Sequence, residues 1–595
     1  MANDLIVVIQ WWGTLFLVGA AAYPLTKTLF KDWWDRGYLF AKAVGMASVT
    51  YLVYLLGTLH IVPFSQISIG VAMGIVFVLG VLLSVTNARD WGKKGNKGKD
   101  IKIIITFFLE EAFFFAALLF WSWIKAHEPS IHGLEKFMDF GFTRSVLDSR
   151  FFPAPDMWYS GGTINYYYFG HIVMAMLTKF SGLDLRYTFN LMLASLFAFT
   201  LTMSFSIGKQ LWGNQGKRGE RGMLAGALTA FLVTLGGNLQ TIYAFTRGYS
   251  GDKVKPFWQL LWPIWEMKGI GEIWGKIGEG FNRYWYANAT RFIPYTIHEF
   301  PSYSFVVSDV HGHVLSLPFV LLAVALLISI FFRFDKAVTS DMRYVTGKTR
   351  KIFINFGMSR LTYHMLLIFY GFLVAVLLMT NALDGPIYLG LFLLIITFFH
   401  KGTWGNKGII FAIIAAVSGI FSLPFLFHFQ SFVHGLAIDC PPAFLADTKI
   451  GPFLFEGVEK CQHSPLWMML ILWGFFLYCG FWLIIKNVKC LHPRRISLWL
   501  EISNVKTKFK IQINQLTPVD KLLIVFFLFS IALIIFPEFF YFKDIYPMHF
   551  RSNTMFKLGY QAFILFSIVA AYTVVKFIFE RFHDDSEVKI QNSKV

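Results

Sequence analysis

Residues 161–177, GGTINYYYFGHIVMAML, form an apolar stretch with three successive tyrosines, and whether it crosses a membrane decides the topology of the chain. The chain has 595 residues, of which 56% are hydrophobic and 15% charged, and its mean hydropathy is +0.55. The core of a water-soluble protein cannot enclose so much apolar surface. The composition therefore predicts an integral membrane protein that has the lipid bilayer as a partner.

The net charge of +18 does not indicate a nucleic-acid partner, because the basic residues fall in short clusters between long apolar runs. The positive-inside rule places such clusters in cytoplasmic loops. The first residues, MANDLIVVIQ, include an acid and lack a basic region, so we expect a retained span and not a cleaved signal peptide. The four cysteines are too few and scattered for a disulfide framework or a zinc knuckle, and only Cys440 and Cys461 share a predicted loop.

Apolar segments of sufficient length predict an all-α polytopic fold with about thirteen transmembrane helices, each crossing about 30 Å of hydrocarbon. The basic loops predict a plasma-membrane protein with its N-terminus outside and its C-terminus in the cytoplasm. The predicted spans lie near residues 5–24, 38–60, 66–86, 102–124, 187–208, 223–246, 314–334, 361–381, 385–400, 408–428, 465–486, 519–537 and 556–578.

The tyrosine-rich stretch is predicted not to span. The basic loops 87–102 and 208–222 both belong in the cytoplasm. The fourth span begins at the first of these loops and ends outside. The chain must therefore cross the membrane an odd number of times before it reaches the second loop. Two apolar candidates lie there, 165–181 and 187–208, and the first is shorter and more polar. Because aromatic and polar residues prefer the headgroup level, we expect 165–181 to be an amphipathic helix on the outer surface.

The dense polar motifs fall in four predicted external segments, 125–187, 247–313, 429–464 and 537–555. We divide the chain into N-terminal helices, a core and C-terminal helices, with bounds 1–101, 102–400 and 401–595. The turn between two predicted spans, MTNALDGPIYLGLF (379–392), carries Asn, Asp, Gly and Pro, which predict either a tight turn or a re-entrant helix.

Two carboxylates mark the first external segment. Glu135 and Asp139 are four residues apart and share one face if this stretch is helical. Further along, Asn165, Tyr167 and His171 are candidates for direct contact with a substrate, although the tyrosines would equally well anchor a helix at the membrane interface.

A basic cluster precedes the last span, in EFFYFKDIYPMHFRSNTMFKLGYQ (538–561). Arg551 is the first candidate for a phosphate ligand because a guanidinium binds phosphate through two parallel hydrogen bonds. The alternative is that these side chains only reach toward lipid headgroups. The other candidates in this cluster are His549, Asn553 and Lys557.

The segment IHEFPSYSFVVSDVHGHVLSLPF (297–319) contains a candidate metal site. In an extended chain Asp309, His311 and His313 project to the same side, and together they would suit a divalent ion such as Mg²⁺ or Mn²⁺. The open alternatives are a site role without metal and hydrogen bonds that cap the following helix. His298 and Glu299 are accessory candidates.

The chain contains the motifs LEKFMDFGF, INYYYFGH, SDVHGHVLSLPF and RSNTMFKLGYQA. These four motifs resemble those of the YYY family of polytopic archaeal and bacterial membrane proteins, which has no assigned activity. This resemblance spans most of the chain. Residues 102–210 are more loosely similar to GT-C glycosyltransferases, such as aminoarabinose and protein O-mannosyl transferases, in their order of span, acid, short helix, proline turn and aromatic helix.

The GT-C resemblance implies a GT-C-like fold and transfer of a sugar from a polyprenyl-phosphate donor to an external lipid, polymer or protein acceptor. It also implies a catalytic carboxylate at Glu135, with Lys136 where those enzymes often have a second acid, and Asp139 as the other candidate base. The competing interpretations are a transporter or flippase of lipid-linked saccharides and a non-catalytic scaffold of a surface-glycan assembly complex.

Overall fold

The computed structural model describes residues 2–86, 97–213, 219–245, 255–260, 269, 271–344, 357–487, 516–544 and 549–592. Much of the predicted cytoplasmic loops lies outside these ranges. The α-helices within them are α1 (Ala2–Leu29), α2 (Ala41–Thr58), α3 (Gln66–Thr86), α4 (Lys97–Ala126), α5 (Lys136–Asp148), α6 (Phe169–Ser181), α7 (Leu185–Gly213), α8 (Glu220–Thr234), α9 (Gly271–Arg283), α10 (Pro301–Val306), α11 (Gly312–Leu315), α12 (Leu317–Tyr344), α13 (Gly357–Thr380), α14 (Asp384–Phe399), α15 (Trp404–Leu426), α16 (Leu466–Asn487), α17 (Pro518–Ile535) and α18 (Ser552–Asn592).

Eleven of the described helices are long and apolar enough to cross a membrane, so the prediction of an all-α polytopic membrane protein is confirmed. The helix α8 and the following 3₁₀ helix, Leu239–Phe245, are bent by 73° and add a twelfth span if they form one. The remaining predicted span, 385–400, is the shorter apolar helix α14. In 379–392, for which a tight turn or a re-entrant helix is predicted, α13 ends at Thr380 and α14 begins at Asp384, so three residues connect the two helices.

The tyrosine-rich stretch ends in α6, which has 13 residues and is too short to span, in line with the topology argument. Its predicted position on the outer surface is wrong, because eleven of its residues are buried. The helix packs against α1, α2, α3, α5, α7, α11 and α13. An apolar helix with buried residues on every side belongs inside a bundle, where protein and not lipid covers its faces.

The four predicted external segments meet at one end of the bundle. A four-stranded sheet joins two of them, in the order β2 (Lys449–Ile450), β3 (Phe453–Phe455), β1 (Leu436–Ile438), β4 (Phe540–Phe542). The strands β1 and β3 are parallel, and β1 is antiparallel to β4 with Leu436 opposite Phe542. Other segments join through Asn165 to Gln430, Asp139 to His311, and Ser552 to Tyr295.

A disulfide between Cys440 and Cys461 closes the loop that follows β1 and carries β2 and β3. This bond was not predicted from the sequence, since two cysteines in one loop are a weak signal. The strands were missed as well, because segments of two or three residues are too short for an alternating pattern.

Candidate functional site

Asp139 is the centre of the predicted external end of the bundle. It lies in the first turn of α5 and is completely buried. One of its oxygens, Oδ1, is 2.8 Å from His171 Nε2 on α6 and 3.2 Å from His311 Nδ1, just before α11. Three separate segments of the chain therefore converge on one carboxylate.

Glu135 lies at the open edge of this centre. It is the N-cap residue of α5, one turn before Asp139, and its Oε2 is 3.3 Å from His311 Nδ1. Its side chain is 57% exposed, whereas that of Asp139 is fully enclosed. The predicted common face of the two carboxylates thus brings both to one imidazole, with only Glu135 open to solvent.

The charged forms of Asp139 and His311 stabilise each other. Burial works against a charged His311, but the adjacent Asp139 carboxylate raises the pKa of this imidazole to about 10. Burial similarly favours the protonated form of Asp139, but His311 and His171 outweigh it and hold the pKa of this carboxyl below its usual range. At neutral pH the centre contains a buried carboxylate beside an imidazolium.

A chain of hydrogen bonds runs from His311 into the bundle. His311 Nε2 is 2.6 Å from the Tyr166 hydroxyl, which donates to the Tyr167 hydroxyl at 2.9 Å. Lys557 in α18 donates to the same Tyr167 oxygen at 3.0 Å. We call Tyr166, Tyr167 and Lys557 the tyrosine relay. The predicted candidates Tyr167 and Lys557 therefore contact each other.

Gly312 permits the close approach that positions His311. A side-chain carbon at this glycine would lie 2.7 Å from the backbone oxygen of Thr380 and 3.1 Å from the Tyr167 ring. Only a residue without a side chain fits between the end of α13 and the tyrosine relay.

The predicted metal triad does not assemble as one set. Asp309 and His313 face Glu299, whereas His311 turns toward Asp139. The reason is local: α11 begins at Gly312, so the alternating directions of an extended chain end there. We call Glu299, Asp309 and His313 the carboxylate–histidine cluster. Burial raises the pKa of the Asp309 carboxyl to about 7.

A cleft of about 520 Å³ is lined by chain neighbours of both groups of residues. Leu134 and Lys136, the two neighbours of Glu135, line it, as does Ser308, the neighbour of Asp309. Lys125 adds a second ammonium group to the wall. Lys136 was noted in the sequence only as a departure from a pattern, and nothing there indicated that two lysines would share a cleft.

The basic cluster before the last span has partners within the protein. Arg551 is 3% exposed and donates to Glu538 at 2.8 Å. Since this pair is buried, a phosphate would have to displace Glu538, and that disfavours Arg551 as its ligand.

The other predicted binding residues are dispersed. The His549 ring lies 5.7 Å from that of Tyr295, and Asn553 donates to Asp544 at 3.1 Å. Asn165 exchanges two hydrogen bonds with the backbone of Gln430 and so connects two predicted external segments.

Buried polar groups continue behind the tyrosine relay. Asp384 is fully buried and accepts hydrogen bonds from Ser316, Asn381 and Gln561. Gln561 lies in α18 and Asp384 at the start of α14, so nothing local in the sequence indicated that the two side chains would meet.

Comparison with known proteins gives a family without an activity. No curated protein and no solved structure matches the chain. The looser resemblance to GT-C glycosyltransferases therefore has no support from a relative. A family model described as "Uncharacterized membrane protein (DUF2298)" matches residues 48–566, which is most of the sequence and includes every candidate site residue. The chain belongs to this family of uncharacterised membrane proteins.

Proposed function

We propose that this protein is a membrane enzyme that transfers a sugar from a polyprenyl-phosphate donor to an acceptor hydroxyl or amine at the outer face of the membrane. The observation that carries the proposal is the pairing of the exposed Glu135 with the buried Asp139 through one imidazole, beside a cleft with two lysines. The alternatives for the acceptor are a lipid, a surface polymer and a protein.

The chemistry of such a transfer needs few groups. The new bond joins the acceptor atom to the anomeric carbon of the sugar, and the bond from that carbon to the phosphate oxygen breaks. A phosphate leaves as a weakly basic anion, so no general acid is required, and a base only has to take the acceptor proton.

Glu135 is the group best placed to be that base. Asp139 is fully buried and already holds two histidines, whereas the Glu135 carboxylate is open to solvent. His311 orients Glu135, Asp139 holds His311, and His171 in turn holds Asp139. The ammonium groups of Lys125 and Lys136, which line the cleft, would hold the departing phosphate in place of Arg551, which is paired with Glu538.

The disulfide supports an external position for the cleft. Cys440 and Cys461 lie at the same end of the bundle as Glu135, and disulfides persist outside the cytoplasm. The distribution of basic loops in the sequence independently supports this position, with the N-terminus outside and the C-terminus in the cytoplasm of a plasma-membrane protein.

Thiol labelling of intact cells tests this orientation. In a Cys440→Ser variant, Cys461 loses its partner, and we expect a membrane-impermeant maleimide to label it from outside. Cys490 lies in a segment that the sequence places in the cytoplasm, so its labelling should require permeabilised cells. The buried Cys479 should stay unlabelled in both. Labelling of Cys490, but not Cys461, from outside would reverse the orientation.

The activity is tested with purified full-length protein, a panel of radiolabelled polyprenyl-phosphate sugars, and native membranes as the acceptor source. We expect label to pass from one donor to a membrane component. The Lys125→Gln and Lys136→Gln variants should raise the KM for this donor more than they lower kcat, because they remove phosphate contacts. If no donor of the panel is consumed, the proposal fails.

A transporter of lipid-linked saccharides is the second candidate, favoured by the tyrosine relay. Transporters carry buried ionisable groups within the bundle, and Lys557 is 8% exposed and linked to His311 through two tyrosines. Labelled donor that crosses the membrane of a reconstituted vesicle without being consumed would favour this function.

A further inference from the structure

The carboxylate–histidine cluster has the composition and spacing of a cation site. We infer that Glu299, Asp309 and His313 bind one divalent cation of the Mg²⁺ or Mn²⁺ class. This set differs from the predicted Asp309, His311 and His313, since Glu299 replaces His311. Cation binding by these residues would stand even if the protein transferred no sugar.

The ligand atoms lie at distances that suit one ion. His313 Nε2 is 3.5 Å from Asp309 Oδ2 and 3.9 Å from Glu299 Oε2, and the three atoms all lie within 4.8 Å of one another. Ligands about 2.1 Å from a common cation are roughly 3 to 4 Å apart. A small inward movement of the Glu299 side chain would complete the arrangement.

The other oxygen of each carboxylate is already held. Arg291 donates to Glu299 Oε1 at 2.7 Å, and the backbone amide of His311 donates to Asp309 Oδ1 at 3.1 Å. These bonds orient the side chains so that Glu299 Oε2 and Asp309 Oδ2 both face His313. Such outer partners are typical of metal ligands, whose direction they fix.

The two carboxylates of the cluster are buried, so a nearby positive charge would stabilise them. The side chains of Glu299 and Asp309 are 10% and 11% exposed, and that of His313 is 3% exposed. A paired cation or a bound metal stabilises buried carboxylates. Arg291, which pairs with Glu299, stays in contact with solvent because its side chain is 41% exposed. A divalent cation would neutralise both carboxylates.

Two carboxylates and one imidazole favour a hard cation over a soft one. Oxygen-rich sites suit Mg²⁺ and Mn²⁺, which take six ligands and keep several open for water or phosphate. Ser308, next to Asp309, lines the cleft. If the proposed function holds, the cation would therefore lie beside the phosphate of the donor.

Direct Mn²⁺ binding tests the site. Purified full-length protein in detergent, treated with chelator and desalted, is titrated with Mn²⁺ while free Mn²⁺ is followed by electron paramagnetic resonance. We expect one Mn²⁺ per chain, displaced by excess Mg²⁺. The Glu299→Gln and Asp309→Asn variants should each weaken Mn²⁺ binding by at least about tenfold.

One histidine variant is a matched control, and another separates the two candidate sets of ligands. His298→Gln alters a buried histidine next to Glu299 and should keep the affinity of the original protein for Mn²⁺. His311→Asn should still bind one Mn²⁺, because His311 turns toward Asp139 and is not one of the proposed ligands. A loss of binding in His311→Asn with full binding in Glu299→Gln would replace our set with the one predicted from sequence.

Mn²⁺ binding to the unaltered protein tests the proposed cation site even where a variant does not fold. If it binds no Mn²⁺ or Mg²⁺ in a saturable way, the inference is overturned. Binding of one Mn²⁺ without any sugar transfer would support the cation site and count against the proposed function alone, since the titration contains no donor.

Discussion

We expect the Glu135→Gln variant to transfer sugar about 100-fold to 10⁴-fold more slowly than the unaltered protein, which is the range that a positioned general base contributes. Glutamine has nearly the same shape but cannot take the acceptor proton. The loss should appear in kcat, with the KM for the donor changed little, because Glu135 acts on the acceptor. Single-turnover transfer from labelled donor measures it.

Asp148→Asn is the matched control for Glu135→Gln. Asp148 lies at the end of the same helix, and its side chain is 59% exposed, close to the 57% of Glu135, but it pairs with Arg144 away from His311. This variant should keep the transfer rate. Unchanged transfer by Glu135→Gln would remove Glu135 as the base.

Asp139→Asn should cause the largest loss of stability among the site variants. Removing one partner of a buried charged pair typically costs about 3 to 5 kcal/mol, because the other charge stays buried without compensation. Here the uncompensated group is His311, whose side chain is 13% exposed. We expect the thermal unfolding midpoint of the purified protein to fall by several degrees, as followed by intrinsic tryptophan fluorescence.

A double-mutant cycle separates this pair from general damage. If the destabilisation arises from His311, the Asp139→Asn/His311→Asn double variant should lose clearly less stability than the sum of the single variants. The exposed Asp148→Asn again serves as a control and should shift the midpoint little. Additive losses would show that Asp139 and His311 do not stabilise each other.

Features with a short-range signal were predicted well. The spans appear as apolar runs, so the all-α membrane fold and most span positions follow directly from sequence. The spacing of Glu135 and Asp139 likewise reflects one helical turn, and the structure brings both to His311. The charges of the basic loops predicted that 165–181 does not cross the membrane, and its helix α6 is too short to do so.

Features that depend on packing were missed or misplaced. The burial of α6 requires neighbouring helices from distant parts of the chain that its own sequence does not identify. Arg551 was chosen as a phosphate ligand because of its guanidinium group, but in the structure this group donates a hydrogen bond to Glu538. The extended pattern assumed for Asp309 to His313 ended at a helix start that carries no strong capping residue.

The sequence by itself determined the membrane class, the helical spans, the family and the end of the bundle that carries the polar residues. Only the tertiary structure decided which of those residues meet. His171 reaches Asp139 across 32 positions, His311 across 172, and Lys557 reaches Tyr167 across 390. Helical periodicity records neighbours a few residues apart, whereas buried polar groups take their partners from whichever distant segments the folded bundle brings beside them.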